Sequence, residues 1–294
     1  MASMGTDKLI LPKEVAQGII TKARDTSVIQ TLSPSTPQLF KDTTHIVFTK
    51  EPEAEFVAEG AEKSAMSAEF APVTGGIHKA QVTIRMNEEV RWADEDNQLQ
   101  IVDAITDAAS AAVGRALDYG VLHALNPLTG QAVPGWKALC ADGVQIKAGG
   151  DPQADIDKMI DAVNEEFDVT GLALSKKYAN EMRKLRVSGT NARVYPDIPM
   201  NLKVGSVEGV SAAVSGTVNG RLAATPTKVL AVMGDFGLVK WGVVRDMGME
   251  VITQGDPDGQ GDLKRHNQVA YRVEVVYSWT VIDPKGFAVL KEAK

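Results

Sequence analysis

Two strand-like runs, Thr43–Phe48 and Gln81–Met86, are separated by a polar stretch, Thr49–Ala80, with too few apolar residues to build its own core. A connection that long without regular structure is uncommon inside a compact domain and is usually functional or disordered. Its flanks alternate with strand period and carry β-branched residues, so the segment reads as the outer part of one extended hairpin. Folded back on themselves, residues 45–86 give arms reaching roughly 60–70 Å at about 3.3 Å per residue. A two-stranded ribbon is marginal alone in water. An arm of that reach needs a neighbouring subunit to lie on, which makes assembly the first functional expectation.

The other bounds agree. The 294 residues are 44% hydrophobic and 23% charged, enough for a substantial core in one to three domains. Formal charge is −7, and no Lys/Arg block of nucleic-acid type occurs. The nearest candidates, Arg183-Lys184-Leu185-Arg186 and Lys264-Arg265-His266, read as solvated or intersubunit patches, and any contact with nucleic acid would be weak and sequence-independent. A single cysteine, Cys140, reads as a small buried hydrophobe and permits no internal disulfide. No apolar run approaches the ~18 residues of a membrane span and no signal peptide precedes the chain, so a soluble protein made in a cytoplasm is expected.

Along the chain, a short amphipathic helix is expected from Pro12, with Val15, Ile19 and Ile20 on one face, before Ser33-Pro-Ser-Thr-Pro37 breaks regular structure. The strongest helix signal is Gln98–Leu125, capped by Asn97 and ended by Asn126-Pro127. The acidic run Asp94-Glu95-Asp96 suits that helix's N-terminus through its dipole. A second helix opens at Asp151-Pro152 and a polar third spans Lys176–Leu185, with the short strand Gly171–Ser175 between them. A strand-rich region follows from Val204 to Val244, then an alternating tail, Gln268–Ile282, and a last strand, Phe287–Leu290. Strands separated by helical insertions rather than a βαβ rhythm indicate α+β.

Chemistry is hard to find. No phosphate loop, dinucleotide fingerprint or nucleophile elbow occurs, and His45, His78, His123 and His266 share no ligand spacing. The segment Asp256-Pro-Asp258-Gly-Gln260-Gly261-Asp262 imitates a calcium loop at positions 1, 3, 5, 6 and 7, but position 12 is Asn267, and Asp, Pro and Gly also simply make turns. No catalytic, cofactor or metal site is expected.

The order of the pieces carries more than any one of them. Leu11-Pro-Lys-Glu-Val, Ala54-Glu-Phe-Val-Ala-Glu-Gly-Ala61, the long helix, Leu172-Ala-Leu-Ser175, Gly234-Asp-Phe236 and Arg272-Val-Glu-Val…Asp283-Pro-Lys-Gly-Phe-Ala-Val-Leu290 follow one another along the chain. In this order they resemble the tailed-bacteriophage major capsid proteins of the HK97-like fold over nearly the full length. The resemblance implies an N-terminal arm at 1–42, an extended E-loop with flanking strands at 43–92, and a peripheral (P) domain at 93–169 with spine helix 98–125. It also implies an axial (A) domain at 170–245 and a return to the P domain at 246–294.

By the same resemblance, many copies form hexamers and pentamers in an icosahedral head around double-stranded DNA, and the virion is the protein's location. The portal is an implied partner, together with separate scaffold or decoration proteins. Members often carry a helical scaffolding segment before the arm; here the arm begins within about ten residues of Met1, so a separate scaffold assists or none is needed. Some relatives cross-link an E-loop lysine to a neighbour's asparagine; Lys63 lies in that tract without an identifiable partner and reads as a surface residue. Phe56, Val57, Glu59, Lys63, Met66 and Phe70 are the expected intersubunit contacts.

Three other readings compete, of which a secreted or surface binding module is disfavoured by the lack of a signal peptide and of disulfides. An encapsulin-type nanocompartment shares the fold and would copurify with cargo enzymes. An α+β enzyme would use 49–80 as an active-site lid, but that tract offers glutamates without a catalytic partner.

Overall fold

One long helix lies between two β-sheets, and each sheet presents an apolar face to it. The computed structural model describes residues 27–36, 43–50, 54–60, 62–63, 65, 69–97 and 101–293. In chain order the elements are α1 (Val28–Leu32), β1 (Thr43–Lys50), β2 (Glu69–Asn87), α2 (Glu88–Asn97), α3 (Ile101–His123), α4 (Leu139–Asp142), β3 (Val144–Lys147) and α5 (Pro152–Asn164). They continue with β4 (Gly171–Leu174), α6 (Lys176–Lys184), β5 (Ser206–Val207), β6 (Val210–Val214), β7 (Val229–Gly234), β8 (Val239–Ile252), β9 (Gln268–Val281) and β10 (Phe287–Lys291).

The first sheet is antiparallel, in the order β1-β2-β9-β8. The second is mixed, in the order β3-β10-β7-β4-β6-β5, with the β3–β10 and β4–β6 pairs parallel. Its central strands are buried on both faces, so alternation divides their side chains between two cores. Ala173, Val232, Phe287 and Val289 join the core shared with α3, while Leu172, Leu174, Met233 and Leu290 join the core under α5 and α6. The architecture is α+β.

The spacing of apolar residues explains why α3 can serve both sheets. Ile101, Ile105, Ala109, Val113, Leu117 and Val121 recur every fourth residue and are all buried. Leu117, Val121 and Leu122 are wholly inaccessible, and each such side chain contributes about 1.5–3 kcal/mol by burial. The helix ends where Ala124 takes a left-handed conformation (φ 52°), followed by Asn126-Pro127. At α5, Asp151 caps by accepting from Gln153 N–H, as its place before Pro152 implies.

Several expectations need correction. Strand β2 begins at Glu69, as the returning arm of the expected hairpin, but the hairpin does not run on to Met86 as one free ribbon. Only Glu69–Gly75 pair with β1; from Gly76 onward β2 pairs with β9 inside the main sheet. The paired part of the ribbon therefore projects about 25 Å beyond the main sheet. Arg91–Asn97 belongs to α2, not to a lead-in, and Asp94 accepts from the N–H groups of Ile101 (2.8 Å) and Val102 (3.1 Å) at the start of α3. Asp94 thus caps the start of α3; the side chain of Asn97, expected to cap it, lies outside the described residues. The helix expected from Pro12 lies outside the described residues.

The helix α1 had no counterpart among the expected elements. Ser27 caps it, Val28 and Ile29 enter the α3 core, and the following residues run along β8. Thr36 N–H donates to Trp241 O (2.8 Å), Ser33 Oγ to Val239 O (2.8 Å), and Trp241 Nε1 to Ser33 O (3.0 Å). Residues 27–36 of the expected N-terminal arm therefore pack on their own subunit.

Candidate intersubunit surface

The ribbon is anchored at its base, and the described residues beyond its ladder are exposed. Strand β1 pairs with β2 from Thr43–Gly75 to Phe48–Phe70, with an irregularity before Lys50. At Gly75 the ribbon leaves the sheet over Trp279, where an added Cβ would sit 2.8 Å from that residue's carbonyl oxygen. Glycine is required there by close approach.

Just inside, the His78 ring lies 4.2 Å from the ring of Trp136 and 4.0 Å from that of Trp279; the two indoles meet edge to face at 5.0 Å. Gly120 of α3 makes room for Trp279, since a Cβ there would stand 2.7 Å from the indole. His78 opposes Tyr277 across the strands and His45 opposes Val73, so the two ribbon histidines do not face one another.

Beyond the ladder, Phe56 is fully exposed (109%) and Val57 is 40% exposed, with Glu59 and Lys63 also on the surface. Ile46 on β1 is 74% exposed. Phe70 contributes its backbone to the ladder; its side chain and the whole of Met66 lie outside the described residues. An isolated exposed apolar residue is ordinary; here three, Ile46, Phe56 and Val57, stand on one projecting ribbon.

Two polar centres hold the body that carries the ribbon. On α3, Asp118 is wholly buried and accepts four hydrogen bonds, from Ser27 Oγ (2.5 Å), Val28 N–H (2.9 Å), Ile29 N–H (3.1 Å) and Thr217 Oγ1 (2.5 Å). Burial raises its pKa, and the Ser27 and Thr217 hydroxyls and the α1 amides act in the opposite direction.

The second centre is Arg85 of β2. Its guanidinium reaches two of the three carboxylates of the expected calcium loop, pairing with Asp258 and lying 3.3 Å from Asp256, and also donates to Gly261 O (2.8 Å) and Gln268 Oε1 (3.1 Å). The Gly261 N–H and neighbouring amides hold Asp256 below the usual carboxylate range. The chain's own cation thus occupies the middle of that loop. Among the described residues, no group of three or more His, Cys, Asp or Glu is arranged to hold a metal ion.

An open cavity of about 330 Å³ is lined in part by His123, Cys140, Ala224, Thr227 and Lys291. Burial pushes the Cys140 thiol up to about 12 and lowers the His123 pKa. His123 Nε2 lies 2.9 Å from Thr217 O and donates to it as the neutral tautomer. The thiol is held protonated and the imidazole is already engaged.

The decisive comparison is with families. The model of the phage capsid family matches residues 8–292. The chain belongs to the phage capsid family. The solved structure from Mycobacterium phage Ogopogo is 36% identical, with a TM-score of 0.86 over 99% of this chain and 100% of that one. That from Gordonia phage Cozz is 31% identical, with a TM-score of 0.82 over 97% and 92%. The capsid of an empty GTA particle, computed with C5 symmetry, shares the fold at 14% identity and a TM-score of 0.65, over 98% and 97%. No curated protein matches the chain.

The fold is HK97-like, and the protein is a major capsid protein that acts in the virion as part of a multimeric shell. No helix among the described residues is long and apolar enough to cross a membrane. Of the two polar centres in the body, Asp118 had the clearer sequence signal: it is the one charged residue in Ala116–Leu122.

Proposed function

We propose that the β1–β2 ribbon is the E-loop clasp of a shell built from hexamers and pentamers around packaged double-stranded DNA. The tip lies across an adjacent subunit, with Phe56 and Val57 buried there, Glu59 and Lys63 at the rim, and Met66 and Phe70 completing the contact. Full exposure of Phe56 on a ribbon whose base is locked by His78, Trp136 and Trp279 carries this reading. A rigid base holds the ribbon extended and leaves its apolar tip to a neighbour.

In this assignment residues 1–42 are the N-terminal arm, which reaches another subunit, and 43–92 the E-loop. The P domain comprises 93–169 with the C-terminal strands, and also takes β8, which pairs with β9. The A domain occupies the remainder of 170–245. The protein is structural rather than enzymatic. Its other partners are the portal, separate scaffold or decoration proteins, and DNA held by weak non-specific contact, in keeping with a formal charge of −7.

Negative-stain microscopy and light scattering of particles from cells expressing the chain test this. Closed shells made of rings of five and six subunits are expected. A stable ~31 kDa monomer that never assembles, with or without a scaffold, would overturn it. Copurifying cargo enzymes in place of DNA and a portal would favour a nanocompartment.

A further inference from the structure

The open cavity beside the C-terminal end of α3 offers what the ribbon tip does not find on its own chain. It holds about 330 Å³. Leu122, Leu125, Ala138 and Ala223 give it apolar walls, and none of its lining residues is an acid. Two of the loops that line it are tied together by Ala224 N–H donating to Gly130 O (2.9 Å). The same loops carry Leu128 and Leu222, which are 78% and 44% exposed.

One cation stands in this apolar setting. Lys291, the last residue of β10, is partly buried and lines the cavity, and its charge acts on His123 and Cys140. Among the described residues no carboxylate pairs with it. The next acid along the chain, Glu292, is taken by Lys177 at 2.5 Å. A partly buried ammonium without a counter-ion, set among apolar walls, suits a carboxylate carried on an apolar body.

The ribbon tip carries that combination. Residues 51–62 hold five glutamates and no cation, with Phe56 and Val57 among them. All of residues 54–60 are exposed and none lines the cavity, so the tip does not fill the cavity of its own chain. A benzene ring already fits a cavity of about 150 Å³, so there is room here for a phenyl ring and a small neighbour. Five glutamates make nucleic acid a poor surface for the tip, and a multimeric shell supplies further copies of the cavity.

We propose that the cavity receives Phe56 of the partner subunit, with the partner subunit's Glu59 meeting Lys291 at its mouth. This rests on the clasp reading and names the surface that receives the clasp. Tip and cavity are different surfaces of one chain, so the contact is head to tail, the kind that closes into rings. The aromatic ring supplies buried area, and the ion pair fixes which way the tip lies.

Cross-linking in assembled shells tests this. In a Cys140→Ala background, Val57→Cys with Ala224→Cys puts one thiol on the tip and one at the cavity, both at exposed positions. A short bismaleimide should join subunit to subunit and give a ladder on a denaturing gel. No ladder is expected from either cysteine alone, or from Val57→Cys with Gln260→Cys in the loop that Arg85 holds. As an independent arm, Lys291→Glu should lower shell yield roughly tenfold, and adding Glu59→Lys should restore it.

Shells in which Val57→Cys and Ala224→Cys do not link, or link only within one chain, would overturn the proposal. So would normal shells from Lys291→Glu, or no recovery with Glu59→Lys. Linkage of the tip cysteine to a copurifying protein would also overturn it, giving the tip to a different partner. Absence of shells from the wild-type chain would count instead against the shell reading.

Discussion

The carboxylate of Asp118 accepts the hydroxyl of Ser27 at 2.5 Å, pinning a residue 91 positions earlier in the chain to the middle of α3. Through Thr217 the same carboxylate holds the loop after β6, so three distant segments meet at one buried charge. Replacing Asp118 with Ala strands two buried amides and two hydroxyls and should cost about 2–4 kcal/mol. Urea melts measure the cost, and hydrogen exchange at Val28 and Ile29 should rise before the rest of the molecule opens. Unchanged exchange there would mean that α1 is held by apolar packing alone.

Phe56 should behave in the opposite way. Because it is fully exposed, Phe56→Ala should leave the stability of the isolated subunit within about 0.5 kcal/mol. Shell yield or shell melting temperature should fall clearly. A drop in subunit stability would mean that the side chain packs within its own chain.

His123 sets a pH dependence. Its folded pKa lies below the unfolded value of 6.5, because burial disfavours the charged ring. The unfolded chain therefore binds more protons between those two values, so stability is lost as pH falls from 6.5 toward the folded pKa and rises with pH across that window. Thermal melts of His123→Gln should show a shallower slope there than wild type. Identical slopes would assign the dependence to other groups.

Arg85 holds its loop by charge. Its side chain is 5% exposed, while those of Asp258 and Asp256 are 21% and 39% exposed. Arg85→Ala should cost about 1–3 kcal/mol, less than breaking a wholly buried pair because the carboxylates can reach water. Proteolysis should then cut preferentially within 253–262. Added calcium should restore protection only if the two freed aspartates gather a cation, and no restoration is expected, since Asn267 stands where a bidentate acid is needed.

Cys140 should be inert in the native shell or subunit. Burial pushes its thiol up to about 12, so little thiolate exists near neutral pH. A thiol reagent should label it only on unfolding, and rapid native labelling would show that the cavity beside it opens.

The long-period features were legible in the sequence. The four-residue recurrence from Ile101 to Val121 announces α3, Asp151-Pro152 announces α5, and the alternation from Gln268 announces β9. The first half of β2 was not legible, because Ala71, Pro72, Gly75 and Gly76 have little strand preference; pairing with β1 and β9 imposes the conformation. Helix α1 is only five residues long and depends on a carboxylate far along the chain, so no local periodicity reports it. Arg85 lies in an alternating strand, and nothing nearby shows that the apparent calcium loop would fold onto it.

The exposed residues 54–60, beyond the β1–β2 ladder, bear on the central claim. Residues 51–68 replaced by a short Gly-Ser linker, compared with wild type by light scattering and negative-stain microscopy, test it most directly. The ladder from Thr43–Gly75 and the β2–β9 pairing remain, so a folded subunit with wild-type melting behaviour that no longer builds shells is expected. Shells of normal size and yield from the replaced chain would contradict the account.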